Sequence, residues 1–125
     1  MPELKKYKMF IGGEWLDSDT KKTFETLNPE NNKPWANVPE ASASDVDKAV
    51  KAAQKAFEGD WPKLLPRERG KFLRAIGNKL RENAELLGRI ETIDTGKIFR
   101  ETNQQANYIA EYYDYYAGLA DKVEG

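Results

Sequence analysis

The 125-residue chain contains no cysteine and no histidine. Those two absences remove most of the usual catalytic chemistry. Without a thiol there is no thiolate nucleophile, no disulfide and no thiolate metal site. Without an imidazole there is no Ser-His-Asp arrangement and no histidine general base. Zinc would have to rely on carboxylates alone. What is left is carboxylate or lysine chemistry, a hard cation held by oxygen, or no chemistry within this chain. An excess of either charge is lacking too: 20 Lys and Arg face 21 Asp and Glu, for a net charge of −1. That balance gives no long-range pull toward nucleic acid or an anionic membrane. No apolar run approaches the ~20 residues of a membrane span. The opening "MPELKKYKMF" lacks the apolar run of a secretion signal, which predicts a cytoplasmic protein.

What is present divides at a change of period. Residues 1–41 read as an extended, β-hairpin segment, and residues 42–125 as a helical one. In the first, "KMFIGGEWL" is an apolar run, a Gly-Gly turn and a second run. "TFETLNP" alternates until Asn28-Pro29 breaks it, because proline disfavours helix at the preceding residue. These predict two or three small strands, with Trp15 and Trp35 as apolar anchors.

From Ser42 the pattern is helical. Ser42 and Asp45 offer an N-cap and an acidic residue three positions on. Val46, Ala49, Val50, Ala53 and Phe57 form a core stripe under a lysine-rich face, and Gly59 suits the residue after a helix. A second helix runs from about Pro66 to Arg81 with Phe72, Leu73, Ile76 and Leu80 as its stripe. Its basic residues spread all round, unlike a nucleic-acid groove. Asn83 can cap a third helix carrying Leu86, Leu87, Ile90 and Ile93. The fourth helix has two apolar faces. Ala106, Ile109, Ala110, Tyr113, Tyr116, Ala117 and Ala120 make one, and Tyr108, Tyr112, Tyr115 and Leu119 the other. Two such faces suggest burial on both sides, by a partner surface or around a cavity.

"IETIDTGK" contains Asp-Thr-Gly, the tripeptide of aspartic proteases. Here it follows a run whose apolar residues recur every three or four positions. Gly96 then fits the left-handed residue after a helix, and Lys97 complements the negative helix end. The helix-end reading is preferred over a general base at Asp94.

The order "FIGGEW", "TFETLNPENNKPWANVPEASASDVDKAVKAAQKAF", "WPKLLPRERGKFLRAIGNKLRENAELLGRIETIDTGK" and "EYYDYYAGLADKVEG" resembles the N-terminal part of an NAD(P)-dependent aldehyde dehydrogenase. Within that superfamily the resemblance is closest to the betaine aldehyde dehydrogenase-like branch. It implies an α/β protein when full length. This chain would be a mainly helical N-terminal segment, a small β-hairpin before about four helices, with "KMFIGGEWL" and "TFETLNP" paired on the surface. It implies oxidation of an aldehyde to a carboxylic acid, with a cysteine nucleophile, hydride transfer to NAD or NADP, and a glutamate that activates water. The family pattern places those groups, the dinucleotide loop and the oligomerisation strands beyond Gly125, so no catalytic or cofactor-binding residue is assigned here. The chain alone is expected to be inactive. Its partners would be the remainder of the dehydrogenase chain and further copies in a dimer or tetramer.

Two roles carry over from the resemblance. A monovalent cation, K+ or Na+, would take Thr26 and Leu27 through backbone carbonyls together with Asp94. A substrate tunnel would be lined by Tyr108 and Tyr112. The alternatives from the residues alone are a free-standing helical interaction module using the tyrosine helix, and a small protease at Asp94.

Overall fold

The computed structural model describes residues 4–122, which group into two compact units divided between Lys63 and Leu64. The change of period falls at Ser42, whereas the break in contacts falls after Lys63, so the first helix packs with the strands.

In the first unit, β1 (Lys5–Lys6) runs parallel to β5 (Lys33–Pro39), which pairs antiparallel with β4 (Thr23–Asn28). Separately, β2 (Met9–Ile11) and β3 (Glu14–Leu16) form a hairpin. Its turn residues Gly12 and Gly13 have φ of 62° and 92°. Two successive positive φ values are what a two-residue hairpin turn needs to match strand twist, and glycine reaches them without steric cost. The expected pairing of "KMFIGGEWL" with "TFETLNP" is corrected here: the first folds on itself and the second pairs with Lys33–Pro39. The signal lay in "NPENN". Asn28 accepts from the Glu30 amide at 2.9 Å, Asn31 accepts from the Lys33 amide at 3.0 Å, and Asn32 has a φ of 55°. Asparagine side chains close such turns and tolerate the left-handed region.

Helix α1 (Ala43–Glu58) starts as expected, with Ser42 and Asp45 forming a reciprocal capping box. Gly59 follows it with a φ of −86°, so it is not the left-handed glycine its position suggested. The stripe of α1 is not covered: Val46, Val50 and Phe57 are all more than half exposed. Trp15 is likewise no internal anchor, since it lies exposed against Phe10, ring centroids 4.9 Å apart. Trp35 is half-buried, edge-on to Tyr7. A single 3₁₀ turn (Trp61–Lys63) ends the unit.

The second unit consists of α2 (Pro66–Glu82), α3 (Ala84–Thr95) and α4 (Phe99–Leu119). Helix α4 packs on both of the others. Pro66 opens α2 at a position where its missing N–H costs nothing, and Glu68 accepts from the Leu65 amide at 2.9 Å. Asn83 does not cap α3 as expected. Its φ and ψ of −114° and 13° are not the extended geometry of an N-cap, and its side-chain amide donates back to the Lys79 carbonyl at 2.9 Å.

Small residues form the buried seam of this unit. Gly70, Gly77, Ala84 and Gly88 are the buried residues of α2 and α3, and Thr102, Ala106, Ala110 and Ala117 those of α4; Gly70 lies against Ala117 and Gly77 against Ala110. A Cβ at Gly70 would lie 2.8 Å from the Ala117 carbonyl oxygen, and one at Gly88 would lie 2.9 Å from the Asn103 backbone. The helices therefore touch backbone to backbone. Thr102, fully buried, donates its hydroxyl to the Gly88 carbonyl at 2.9 Å or the Phe99 carbonyl at 3.0 Å. Its one proton being used, Thr92 donates to it at 2.9 Å. The expected stripes point elsewhere: Phe72, Ile76, Leu86, Leu87 and Ile93 are exposed.

Candidate functional site

The tyrosines of α4 come together only in part as the sequence suggested. Tyr108 and Tyr112, one turn apart, stand edge to face with centroids at 5.0 Å, and their hydroxyls hydrogen-bond at 2.9 Å. Tyr115 and Tyr116 make a second edge-to-face pair at 5.3 Å. The four line one open groove with Glu111. Tyr116 was expected on the alanine face, but it is exposed and belongs to the groove; Ile109 is exposed as well. Glu111, between the pairs, escaped the sequence reading because attention fell on the apolar repeat. Its place at i+3 from Tyr108 was the available signal.

The hydrogen bond with Tyr108 is the main reason the Tyr112 phenol titrates above its ordinary 10.0. The Tyr112 phenol thus stays protonated at neutral pH and supplies no base. The pair can donate or accept a hydrogen bond and offer ring edges and faces. The groove is suited to an amphipathic surface or a small apolar ligand with a polar end.

Asp94 lies in the last turn of α3, exposed, and the helix-end reading of Asp-Thr-Gly holds. Gly96 takes the left-handed conformation at a φ of 76°, and its amide donates to the Thr92 carbonyl at 2.9 Å. The Thr95 hydroxyl donates to the Glu91 carbonyl at 2.7 Å, and the Lys97 ammonium pairs with Glu91 at 2.6 Å. An aspartic protease loop follows a strand, so this geometry removes the protease alternative.

Thr26 and Leu27 lie in β4, half-buried and exposed respectively. The ladder shifts register between them, and Leu27 faces Pro34. Such a bulge leaves one residue out of the ladder, and proline has no N–H to offer the opposing strand. These two residues belong to the first unit and Asp94 to the second. Among the described residues no group of three or more carboxylates could hold a metal ion, so a cation here would depend on backbone oxygens. No glycine-rich loop that would fit a dinucleotide phosphate occurs in the sequence, and no cofactor contact is assigned to this chain.

Comparison with known proteins gives a consistent result. Residues 15–125 match the aldehyde dehydrogenase family. The chain is 42% identical to a hydroxybutyrolactone dehydrogenase of Acinetobacter baylyi, covering 98% of this chain and 25% of that one. It is 39% identical to the betaine aldehyde dehydrogenase of Bacillus subtilis, covering 94% of this chain and 24% of the relative. Its structure superposes on an NAD-dependent aldehyde dehydrogenase from Sinorhizobium meliloti with a TM-score of 0.93 at 31% identity, over 98% of this chain and 25% of the other. The chain thus spans about a quarter of the length of the relatives it matches.

Proposed function

Because the chain belongs to the aldehyde dehydrogenase family, we propose that it is the N-terminal portion of an NAD(P)-dependent enzyme that oxidises an aldehyde to a carboxylic acid. The observation that carries this reading is the match along nearly all of this chain to one quarter of each relative. The unfilled surfaces support it. Large apolar side chains on α1, α2, α3 and α4 face outward, and single soluble domains rarely expose so many. A downstream sheet layer of the same polypeptide would cover them. The full-length protein would assemble as a dimer or tetramer.

In this reading the chain shapes and covers, and the reacting groups come from the rest of the protein. A nicotinamide would supply the hydride acceptor, and the groups that hold it are expected in the remainder of the protein. Tyr108 and Tyr112 line the approach of the aldehyde. Their linked hydroxyls let them orient a carbonyl-bearing substrate by hydrogen bonding. A potassium or sodium ion belongs to the same proposal, with the backbone carbonyls of Thr26 and Leu27 as its ligands in the first unit, supported by the register shift opposite Pro34.

The substrate is left at the level of an aldehyde, since relatives of similar identity include a lactone dehydrogenase and a betaine aldehyde dehydrogenase. Two measurements test the proposal. The intact protein from its source is expected to have about four times the 14.3 kDa of this chain. A single species at the smaller mass would favour the free-standing interaction module. The purified chain is expected to form no NADH or NADPH with any aldehyde, and steady turnover by it would overturn the assignment of the chemistry to absent residues.

A further inference from the structure

The first unit contains a buried carboxylate that a simple helix cap does not account for. Asp45 is 2% exposed. Within the capping box its Oδ2 accepts from the Ser42 amide at 2.9 Å and the Ser42 hydroxyl at 2.9 Å. The same oxygen also accepts from the Ser18 hydroxyl at 3.0 Å and the Asp19 amide at 3.2 Å, while Oδ1 lies 3.3 Å from that amide. Those last donors lie 26 and 27 residues away, in the strap of residues 17–22 that joins β3 to β4.

The direction of every hydrogen bond in the cluster follows from counting protons. Ser18 has one hydroxyl proton, and it goes to Asp45. Thr20, 3.1 Å away, must therefore donate to Ser18, and the Lys22 amide donates to Thr20 at 3.3 Å. Ser42 accepts from the Asp45 amide at 3.2 Å while donating to its carboxylate. All the donors run toward one acceptor, an arrangement that requires Asp45 to be ionised. Asp19 and Lys48 are the charged groups beside it. Lys48 pairs with Asp19 at 2.5 Å and lies 4.0 Å from Asp45. The Ser42 backbone amide is the first cause that holds the Asp45 carboxyl down to about 2.

We propose that Asp45 is a carboxylate latch: its negative charge fastens the strap of residues 17–22 onto the start of α1 and so sets how the β2–β3 hairpin and β4 sit on that helix. The strap leads directly into β4, and at its last residue the Lys22 carbonyl accepts from the Glu40 amide at 2.9 Å. Opening the latch frees the strap without unwinding the helix. This inference stands on the first unit alone and does not depend on the enzymatic reading.

Amide hydrogen exchange by NMR on the 125-residue chain tests it, with the Asp19 amide as reporter and the Ser42 and Ala49 amides as references. In the unaltered chain Asp19 is protected. In Asp45→Asn the remaining oxygen keeps the place of Oδ2 and its serine donors, while the amide nitrogen, itself a donor, takes the place of Oδ1 against the Asp19 N–H. The charge is lost as well, so Asp19 exchanges at least about tenfold faster. Ser18→Ala removes only the strap side and gives the same increase, with Ser42 and Ala49 within about twofold of native. The latch is overturned by any of three results: no protection at Asp19 in the unaltered chain, no acceleration in Ser18→Ala, or loss of Ala49 protection in step with Asp19 in that variant. The last would make the contact an ordinary part of one cooperative fold.

Discussion

The two units of this chain solve the same problem by opposite means. Both leave large apolar side chains outside and bury small ones. The first unit joins strap to helix through an ionised carboxylate, so its cohesion depends on charge. The second joins helix to helix through glycine and alanine, and through one threonine hydroxyl. There the helices touch backbone to backbone, so cohesion depends on the absence of side-chain volume. Charge can be removed by protons and volume can be added by mutation, so each unit has its own point of failure. The tryptophans, Trp15, Trp35 and Trp61, all lie in the first unit, while Tyr108 to Tyr116 lie in the second. Tryptophan emission therefore follows the first unit, and tyrosine emission follows the second once Tyr7, which lies in the first, is replaced by phenylalanine.

The largest effect is expected at Gly88. Replacing it with valine puts a branched side chain where even a Cβ lies 2.9 Å from the Asn103 backbone. No flexible side chain is there to move aside, and helices α3 and α4 must part. Overpacking of this kind costs about 3 kcal/mol. Chemical denaturation followed by tyrosine emission should show the loss, with the tryptophan transition unmoved. A shift in both signals together would show that the contrast between the units is false.

Acid should select the other unit. The Asp45 carboxyl titrates at about 2 in the fold against an ordinary 3.8. A lowered folded value means the stabilisation is complete above about pH 4 and is lost as pH falls through about 2. Urea titrations followed by tryptophan emission should show the midpoint dropping between about pH 5 and pH 2.5, and Asp45→Asn should flatten that slope. At the alkaline end Lys48 acts with the opposite sign. Its value is raised, chiefly by the hydrogen bond to Asp19, so its contribution is present below its ordinary 10.5 and lost above it.

How much of this could be read in the residues depended on distance along the chain. The helices, the Ser42 capping box and the Gly96 helix end are local, and the periodicity and cap residues announced them. The outward apolar stripes were misread because a helical repeat says which residues share a face, not whether anything covers it. The glycine seam was hidden for a related reason. Gly70, Gly77 and Gly88 look like weak points in a helix until Ala117, Ala110 and Asn103 are known to lie against them. Ser18 gave no signal at all, since its partner stands 27 residues further on. For the tyrosine groove, the spacing from Tyr108 to Tyr112 was legible, whereas the side on which Tyr116 falls was set by how closely the alanines of α4 approach α2.

The tyrosine pair gives a smaller, local effect. Tyr108→Phe removes the hydroxyl that raises Tyr112 and leaves the ring contact in place. The Tyr112 phenol is then expected to titrate nearer its ordinary 10.0, seen as an earlier rise in tyrosinate absorbance, with stability changed by no more than about 0.5 kcal/mol because both rings are exposed.

The smallest effect turns the argument about volume around. Gly118 lies in α4 one residue beyond Ala117, yet nothing stands within 4 Å of a Cβ built there. If glycine is needed in this unit only where backbones touch, Gly118 is spare, and alanine should stabilise the helix. Glycine in a helix costs about 0.5–1 kcal/mol relative to alanine, mainly through the freedom it keeps in the unfolded chain. Proximity to the end of α4 places the expected gain at the lower figure. Gly118→Ala should raise the tyrosine-detected midpoint slightly, while Gly70→Ala, whose Cβ meets a carbonyl oxygen at 2.8 Å, should lower it. A loss of stability in Gly118→Ala would mean that glycine is needed in this unit even where no backbone approaches, and the volume argument would fail.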